Sequence, residues 1–401
     1  MLFSSSFSEH SSAIVSLMHR TLHAILEHIL PSASIGAGLA ALCLVRYLKS
    51  PWRSVPPGPP GIPILGNALQ MSSDQYWLKY GDWRKDYGSI IYLNAAGQPM
   101  IVLNDHKIAA ELLDQRASIY SDRASMIVAN EILCDGLLLP LARYSETWRR
   151  MRKAAHETLN KVVAHGLNDY QAKEALTLAS NSLQDANGWG THIRIATTSL
   201  MLRSLYAESP VSDKDDARLT HMDAFALRVT LAVPPGSHWV GILPWMRHIP
   251  RIFSPWKRNA EGWYRKDNKI FHDLFERVQD DIKVNGIEQE SFCATLVHDA
   301  HRYRLTTHEN AWLAASLYVA GADTTRAALE WWTLAMLAYP DTQKRTQDEL
   351  DAVIGRSRAP TFSDMPRLPY ICAIVKEVLR WRPTNPIGVF VSWPYLFDAS
   401  R

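Results

Sequence analysis

Cysteine is scarce in this chain. Cys43, Cys134, Cys293 and Cys372 are spread over 401 residues, and no Cys-x-x-Cys pair occurs. That excludes a disulfide scaffold. Close histidine pairs are few, His298 and His301 among them, and none lies beside a Cys-x-x-Cys pair, so structural zinc is not expected. An excess of one charge is missing as well: 43 basic against 40 acidic side chains give a net charge of +3. A dedicated nucleic-acid binder needs a stronger basic bias. Internal repeats are absent. The composition, 47% hydrophobic and 21% charged, excludes wholesale disorder. The length fits two or three domains or one large fold.

One long uncharged run is present, Ile29 to Val45, 17 residues. This is near the lower limit of about 17–25 residues for a bilayer-spanning helix. Arg46, Lys49 and Arg53 follow it, which places the following body on the cytosolic side. Upstream, Ile14, Leu17, Met18, Leu22, Ile25 and Leu26 recur at helical spacing and either lie on the membrane surface or extend the anchor. A cleaved secretory signal is the alternative. The segment from Pro51 to Asn67 carries five prolines between Pro56 and Pro63. Proline fixes φ, so this segment reads as a stiff strap between anchor and body.

The body is mainly α with a small β-sheet region. Ser89–Asn94 and Pro99–Asn104 are β-rich runs, with residues 95–98 as the loop of a hairpin. Thr306 to Glu309 fits a capping box. No proline follows until Pro340, so a helix of about 33 residues and roughly 50 Å is expected there. It is apolar nearly all round and should be buried. A second helix is expected from Pro340 to Ile354, stopped by Gly355, and a third from Pro369 to Trp381.

Three clusters carry chemistry. The centre of the long helix reads Ala320-Gly321-Ala322-Asp323-Thr324-Thr325, which weakens the helix where it should be buried. Gly321 there lets something flat approach the backbone. Thr324 can bond a preceding carbonyl, and Asp323 offers a carboxylate beside a hydroxyl, as proton relay needs. A kink that only eases packing is the alternative. Glu377 and Arg380 lie three apart on one helical face and can pair, either exposed or held against the core. Trp148 and Arg152 share a face four residues apart. Arginine grips carboxylates bidentately and an indole adds one hydrogen bond. The alternative is a solvated basic patch with Arg149, Arg150 and Lys153.

The order of these features is specific: an anchor, PPGPPGIPILGN, a hairpin, Tyr120-Ser-Asp-Arg123, Trp148-x-x-x-Arg152, AGADTT, and Glu377-x-x-Arg380 lying 53 residues after Thr324. In this the chain resembles the fungal microsomal cytochrome P-450 family of haem-thiolate monooxygenases. The resemblance covers about Pro56 to Val389. It implies the P-450 fold over residues 68–389, after an anchor (1–50) and a hinge (51–67). Trp148 and Arg152 then correspond to contacts with a haem propionate, and Ala320 and Gly321 to positions over the haem face. Asp323 and Thr324 correspond to the acid–alcohol pair that handles protons, and Glu377 and Arg380 to a structural pair. Leu317, Ile387 and Val389 fall in substrate-contact segments. Trp239, Leu243, Trp245, Ile249, Ile252 and Phe253 face the membrane in this reading. The implied cofactor is haem. The implied partners are NADPH-cytochrome P-450 reductase, a lipophilic substrate and the membrane, with the body on the cytosolic face of the endoplasmic reticulum.

One family element is absent. No Phe-x-x-Gly-x-Arg-x-Cys-x-Gly loop, the source of the axial thiolate, occurs in the chain, and residues 390–401 do not resemble family sequence. A metal ligand is therefore not assigned. The expectation is a fold incomplete at its C-terminus, poor in haem and inactive as written, from a mis-spliced or mis-predicted gene. The alternatives are a working oxygenase and, less in keeping with the motifs, an unrelated membrane-tethered helical binder.

Overall fold

The computed structural model describes Gly38 and residues 55–392, apart from 64, 72–74, 96, 165–166, 235, 285, 287–289 and 389–390. The expected anchor lies outside these, Gly38 aside. Among the described residues no helix is long and apolar enough to cross a membrane.

The proline strap is fastened to a hairpin by backbone contacts. The Tyr92 N–H donates to the Pro57 carbonyl at 3.0 Å. The buried Asn67 amide donates to the Pro59 carbonyl at 3.0 Å and accepts from the Asn94 N–H at 2.8 Å. A Cβ on Gly58 would lie 2.0 Å from the Tyr92 carbonyl oxygen, and one on Gly66, at φ +56°, 2.2 Å from that of Asn94. Both glycines are thus demanded by close approach.

The hairpin strands are β1 (Ile90–Ala95) and β2 (Gln98–Leu103), antiparallel, in register from Ile90↔Leu103 to Ala95↔Gln98. The turn is two residues rather than the expected four. Gly97, at φ +90°, takes the left-handed conformation a tight hairpin turn needs, so the pairing runs further. Helix α1 (Tyr76–Tyr87) lays Tyr80 against Ile91 and Leu93.

The helical body contains α2 (Glu146–Ala164), α3 (Leu167–Gln184), α4 (Trp189–Tyr206), α5 (Ala217–Ala232), α6 (Pro255–Lys283), α7 (Phe292–His298) and α8 (Thr307–Ala338). Its core surrounds Trp312 on α8, which has no solvent exposure. Phe271 meets the indole edge-on at 5.2 Å and Phe225 at 6.1 Å, while Tyr264 stacks at 6.0 Å. The indole N–H donates to Asn268 Oδ1 at 2.9 Å.

Thr306 and Glu309 form the expected capping box of α8. Full burial of the helix is not observed. Residues 310–316 and Tyr318 are buried, whereas Ala320, Thr324, Thr325, Leu334 and Leu337 are exposed. The C-terminal half packs against α10 (Pro369–Trp381), which sets Ile374 and Val378 against Ala335 and Met336, and the Trp189 indole N–H of α4 donates to Thr333 Oγ1 at 2.9 Å.

Helix α9 (Pro340–Val353) supplies the cap of α10. Glu349 accepts the N–H groups of Tyr370 (2.9 Å) and Ile371 (3.0 Å). Between the two helices the buried Asp364 carboxylate receives Arg358 through both nitrogens (2.7 and 2.8 Å), the Thr361 N–H and hydroxyl (2.9 and 2.8 Å), and Arg367. Arg358 and Thr361 hold its pKa far below the usual carboxylate range. A depressed folded value means the stabilisation is complete above the unfolded pKa of about 3.9 and is lost as pH falls through the folded one. Asp364→Asn should therefore lower the Tm at neutral pH. In thermal unfolding, its gap to wild type should hold from about pH 7 to pH 5 and narrow only below about pH 4. A gap that widens on acidification would contradict the assignment.

Candidate functional site

Helix α8 is continuous through Ala320–Thr325. The Thr324 hydroxyl donates to the Ala320 carbonyl at 2.7 Å, the expected back-bond, and both residues are exposed on one face. Thr384 Oγ1 reaches the Thr324 carbonyl oxygen at 3.5 Å, bringing the segment after α10 to this part of the helix.

Gly321 faces elsewhere. An added Cβ there would sit 2.5 Å from both Cε and Sδ of Met201 on α4. The missing side chain is therefore taken up by helix packing rather than by room for a flat ligand. Asp323 is not joined to Thr324 either, because adjacent helical residues point about 100° apart. It pairs with Arg326 at 3.2 Å, and Arg326 lies 3.8 Å from Asp223 on α5, which in turn pairs with Arg194 on α4. Burial raises the Asp323 carboxyl above its usual range, with Arg326 opposing and Asp223 and Glu330 adding to it.

On α2, Arg152 stacks over the Trp148 ring at 5.5 Å. The indole N–H donates to the Leu139 carbonyl at 3.3 Å. Strand β3 (Asp122–Arg123), paired antiparallel with β4 (Val391–Ser392), brings Arg123 towards Arg152. Burial, and then the Arg152 charge, press the Arg123 guanidinium below its ordinary pKa, while Asp122 opposes. Asp122 is already engaged by Arg143 and by the Tyr144 N–H at 2.9 Å. Arg123 and Arg152 are thus close enough for their charges to oppose one another, and a locally positive field suits an anionic group. The sequence carried Tyr120-Ser-Asp-Arg123 only as a motif, and the nearness of Arg123 to Arg152 depends on the fold.

Glu377 and Arg380 form a bidentate pair at 2.6 and 2.7 Å. Their side chains are 59% and 71% exposed, so the pair is not held against a core. Helix α10 turns Ile374 and Val378 inward, leaving this pair, Val375 and Leu379 on exposed positions. Leu317 is half-buried and packs on the Trp312 core, while Ile387 packs with Tyr80, Ile91 and Leu93. Val389 lies outside the described residues. Trp239, Trp245, Ile252 and Phe253 are 63–78% exposed, in the connection from α5 to α6.

The convergent arginines fit the acidic edge of a haem. The iron side is not supplied by the described cysteines. Cys134 and Cys293 are buried in the main core, where burial pushes both thiols up, and Cys372 lies near the Met365 carbonyl.

A sequence profile described as Cytochrome P450 matches residues 56–391. Two cytochrome P450 monooxygenases of Armillaria gallica are 48% and 46% identical to the chain over 351 residues. Each alignment covers 88% of this chain and 67% of the relative. Cytochrome P450 monooxygenase 58 of Postia placenta is 38% identical over 348 residues, 87% of this chain and 66% of that one. The chain belongs to the cytochrome P450 family. It spans about two thirds of the length of these relatives.

The packing of Gly321 is open to test. Gly321→Ala gains about 1 kcal/mol of helix propensity and displaces only the flexible end of Met201. The net change in denaturant unfolding should stay within about 1 kcal/mol. Gly321→Leu overpacks the α4–α8 contact and should cost about 1–3 kcal/mol.

Proposed function

We propose that this chain is the larger part of a membrane-associated haem-thiolate monooxygenase. It would insert one oxygen atom from O2 into a lipophilic small molecule, with electrons from NADPH-cytochrome P450 reductase. The observation that carries this reading is the convergence of Arg123 and Arg152, next to Trp148, within a chain of this family.

Haem, when bound, supplies oxygen activation, and a cysteine thiolate on its iron favours O–O cleavage. Arg123 and Arg152 would neutralise its carboxylates, with Trp148 packed beside them. Ala320 would present the open face of this helix segment to haem, while Gly321 lets the same segment pack on Met201. The Thr324 hydroxyl would orient a proton donor on that face. Asp323, whose carboxyl burial raises above its usual range, would hold a proton on this stretch of α8, beside Arg326. The Glu377–Arg380 pair would receive sequence packed over α10. Leu317, Ile387 and Val389 would contribute to the substrate space. Exposed Trp239, Trp245, Ile252 and Phe253 would dip into the endoplasmic reticulum membrane and admit lipophilic substrate.

The thiolate loop is not among these 401 residues, so the polypeptide taken alone is proposed not to catalyse. Carbon monoxide difference spectra and haem stoichiometry test both statements. The purified 401-residue chain should give no thiolate-type band. The chain completed with the corresponding C-terminal part of an Armillaria gallica relative should give one. In that background, Arg123→Gln with Arg152→Gln should weaken haem retention at least about tenfold, since a charge-assisted hydrogen bond contributes about 1.5–3 kcal/mol. Undiminished retention by the double variant would overturn the placement of the acidic edge.

A further inference from the structure

The connection from α5 to α6 carries more than exposed apolar side chains. Residues 243–266 hold six lysines and arginines against one acid, Glu261, while the other 377 residues hold 37 against 39. The net charge of +3 is therefore gathered on this one stretch, and the rest of the chain is slightly acidic. Charge spread evenly at that level says nothing about partners, whereas a local basic patch attracts anions.

The stretch is a shaped surface. Two short 3-10 turns, Pro244–His248 and Arg251–Phe253, lead into α6. Met246 and Trp256 pack on the main core, and Ser254 is fully buried. With these side chains turned inward, Trp245, Ile252 and Phe253 are left exposed as an apolar tip.

Cations frame that tip. Lys257 Nζ donates to the Arg247 carbonyl at 3.3 Å, and Arg258 Nη1 donates to the Arg251 carbonyl at 2.8 Å. These bonds stitch the first turn of α6 to the tip and leave both charges uncancelled. Arg247 and Arg251 differ, because Glu131 at 3.2 Å and Glu261 at 2.8 Å offset them. Arg265 and Lys266 lie two turns further along α6, on the face they share with Arg258 and Gly262, and both are exposed. Lys266 sits over the Trp263 ring at 4.7 Å. Among the described residues, no carboxylate pairs with Lys257, Arg258, Arg265 or Lys266.

Uncancelled cations beside an apolar tip match a bilayer with negative headgroups. The apolar side chains enter the acyl boundary while ammonium and guanidinium groups stay at headgroup level. We propose that this surface docks on anionic phospholipid, with Lys257, Arg258, Arg265 and Lys266 binding the headgroups around the inserted tip. The inference rests on the membrane contact proposed above and adds to it the chemistry of the lipid.

Hydrogen exchange of the full chain in nanodiscs, read by mass spectrometry, tests it. The discs contain phosphatidylcholine alone or with about one-third phosphatidylserine. Each cation at an anionic surface contributes about fivefold to binding. Amides of residues 244–258 should be at least about tenfold better protected on the anionic discs. Those of residues 310–316, in the core of α8, should exchange alike on both. In about 1 M salt, where the Debye length falls to about 3 Å, the difference should vanish. Arg265→Gln with Lys266→Gln leaves the backbone bonds at the tip intact and should cut the anionic gain at least about fivefold. Equal protection on both discs would leave the membrane contact standing and overturn the headgroup preference. An anionic gain untouched by the double variant would overturn it too. Absence of protection on either disc would overturn the membrane contact itself, and this inference with it.

Discussion

The burial of Trp312 is the constraint around which the helical body is arranged. A tryptophan removes about 150–250 Å² from water, roughly 4–6 kcal/mol of transfer free energy, but only if its N–H finds a partner. Here Asn268 provides that partner from α6. The same helix contributes Phe271 and Tyr264 to the ring's surroundings, and α5 contributes Phe225. Satisfying one indole thus fixes how α5, α6 and α8 face one another. The residues one and two turns further along α8 are then positioned by the same packing.

That packing ends near Ala322, and α8 changes character there. Its first half is a core element. Its second half carries Arg326, Glu330, Leu334 and Leu337, with α10 packed on Ala335 and Met336 and α4 reaching it through Trp189 and Thr333. The candidate chemistry sits at this border, where Thr324 is open and Asp323 is half-enclosed by α4 and α5. A carboxylate in such a place is costly to ionise and is steadied by a guanidinium. This explains both the raised Asp323 pKa and the Arg326–Asp223–Arg194 chain beside it.

Elements governed by local rules were legible in the sequence. Thr306 and Glu309 announced the start of α8, Pro340 the start of α9, and Pro369 that of α10. The family was legible too, because its motifs follow one another in a fixed order. What escaped depends on neighbours distant in sequence. The small size of Gly321 is explained by Met201, 120 positions away. Arg123 feels the charge of Arg152, which lies on another element. The exposure of Glu377 and Arg380 could not be read from an apolar helix pattern, since that pattern does not say which face finds a partner.

The Glu349 carboxylate on the first turn of α10 has a consequence for the order of events during synthesis. A 13-residue helix is marginal by itself, because nucleation is unfavourable and the first amides have no acceptors. Helix α9 leaves the ribosome first and already carries the anion that those amides need. As Tyr370 and Ile371 emerge, their N–H groups meet a waiting acceptor, so the earlier helix templates the later one. Losing that acceptor would slow the appearance of α10 more than it would alter its final shape.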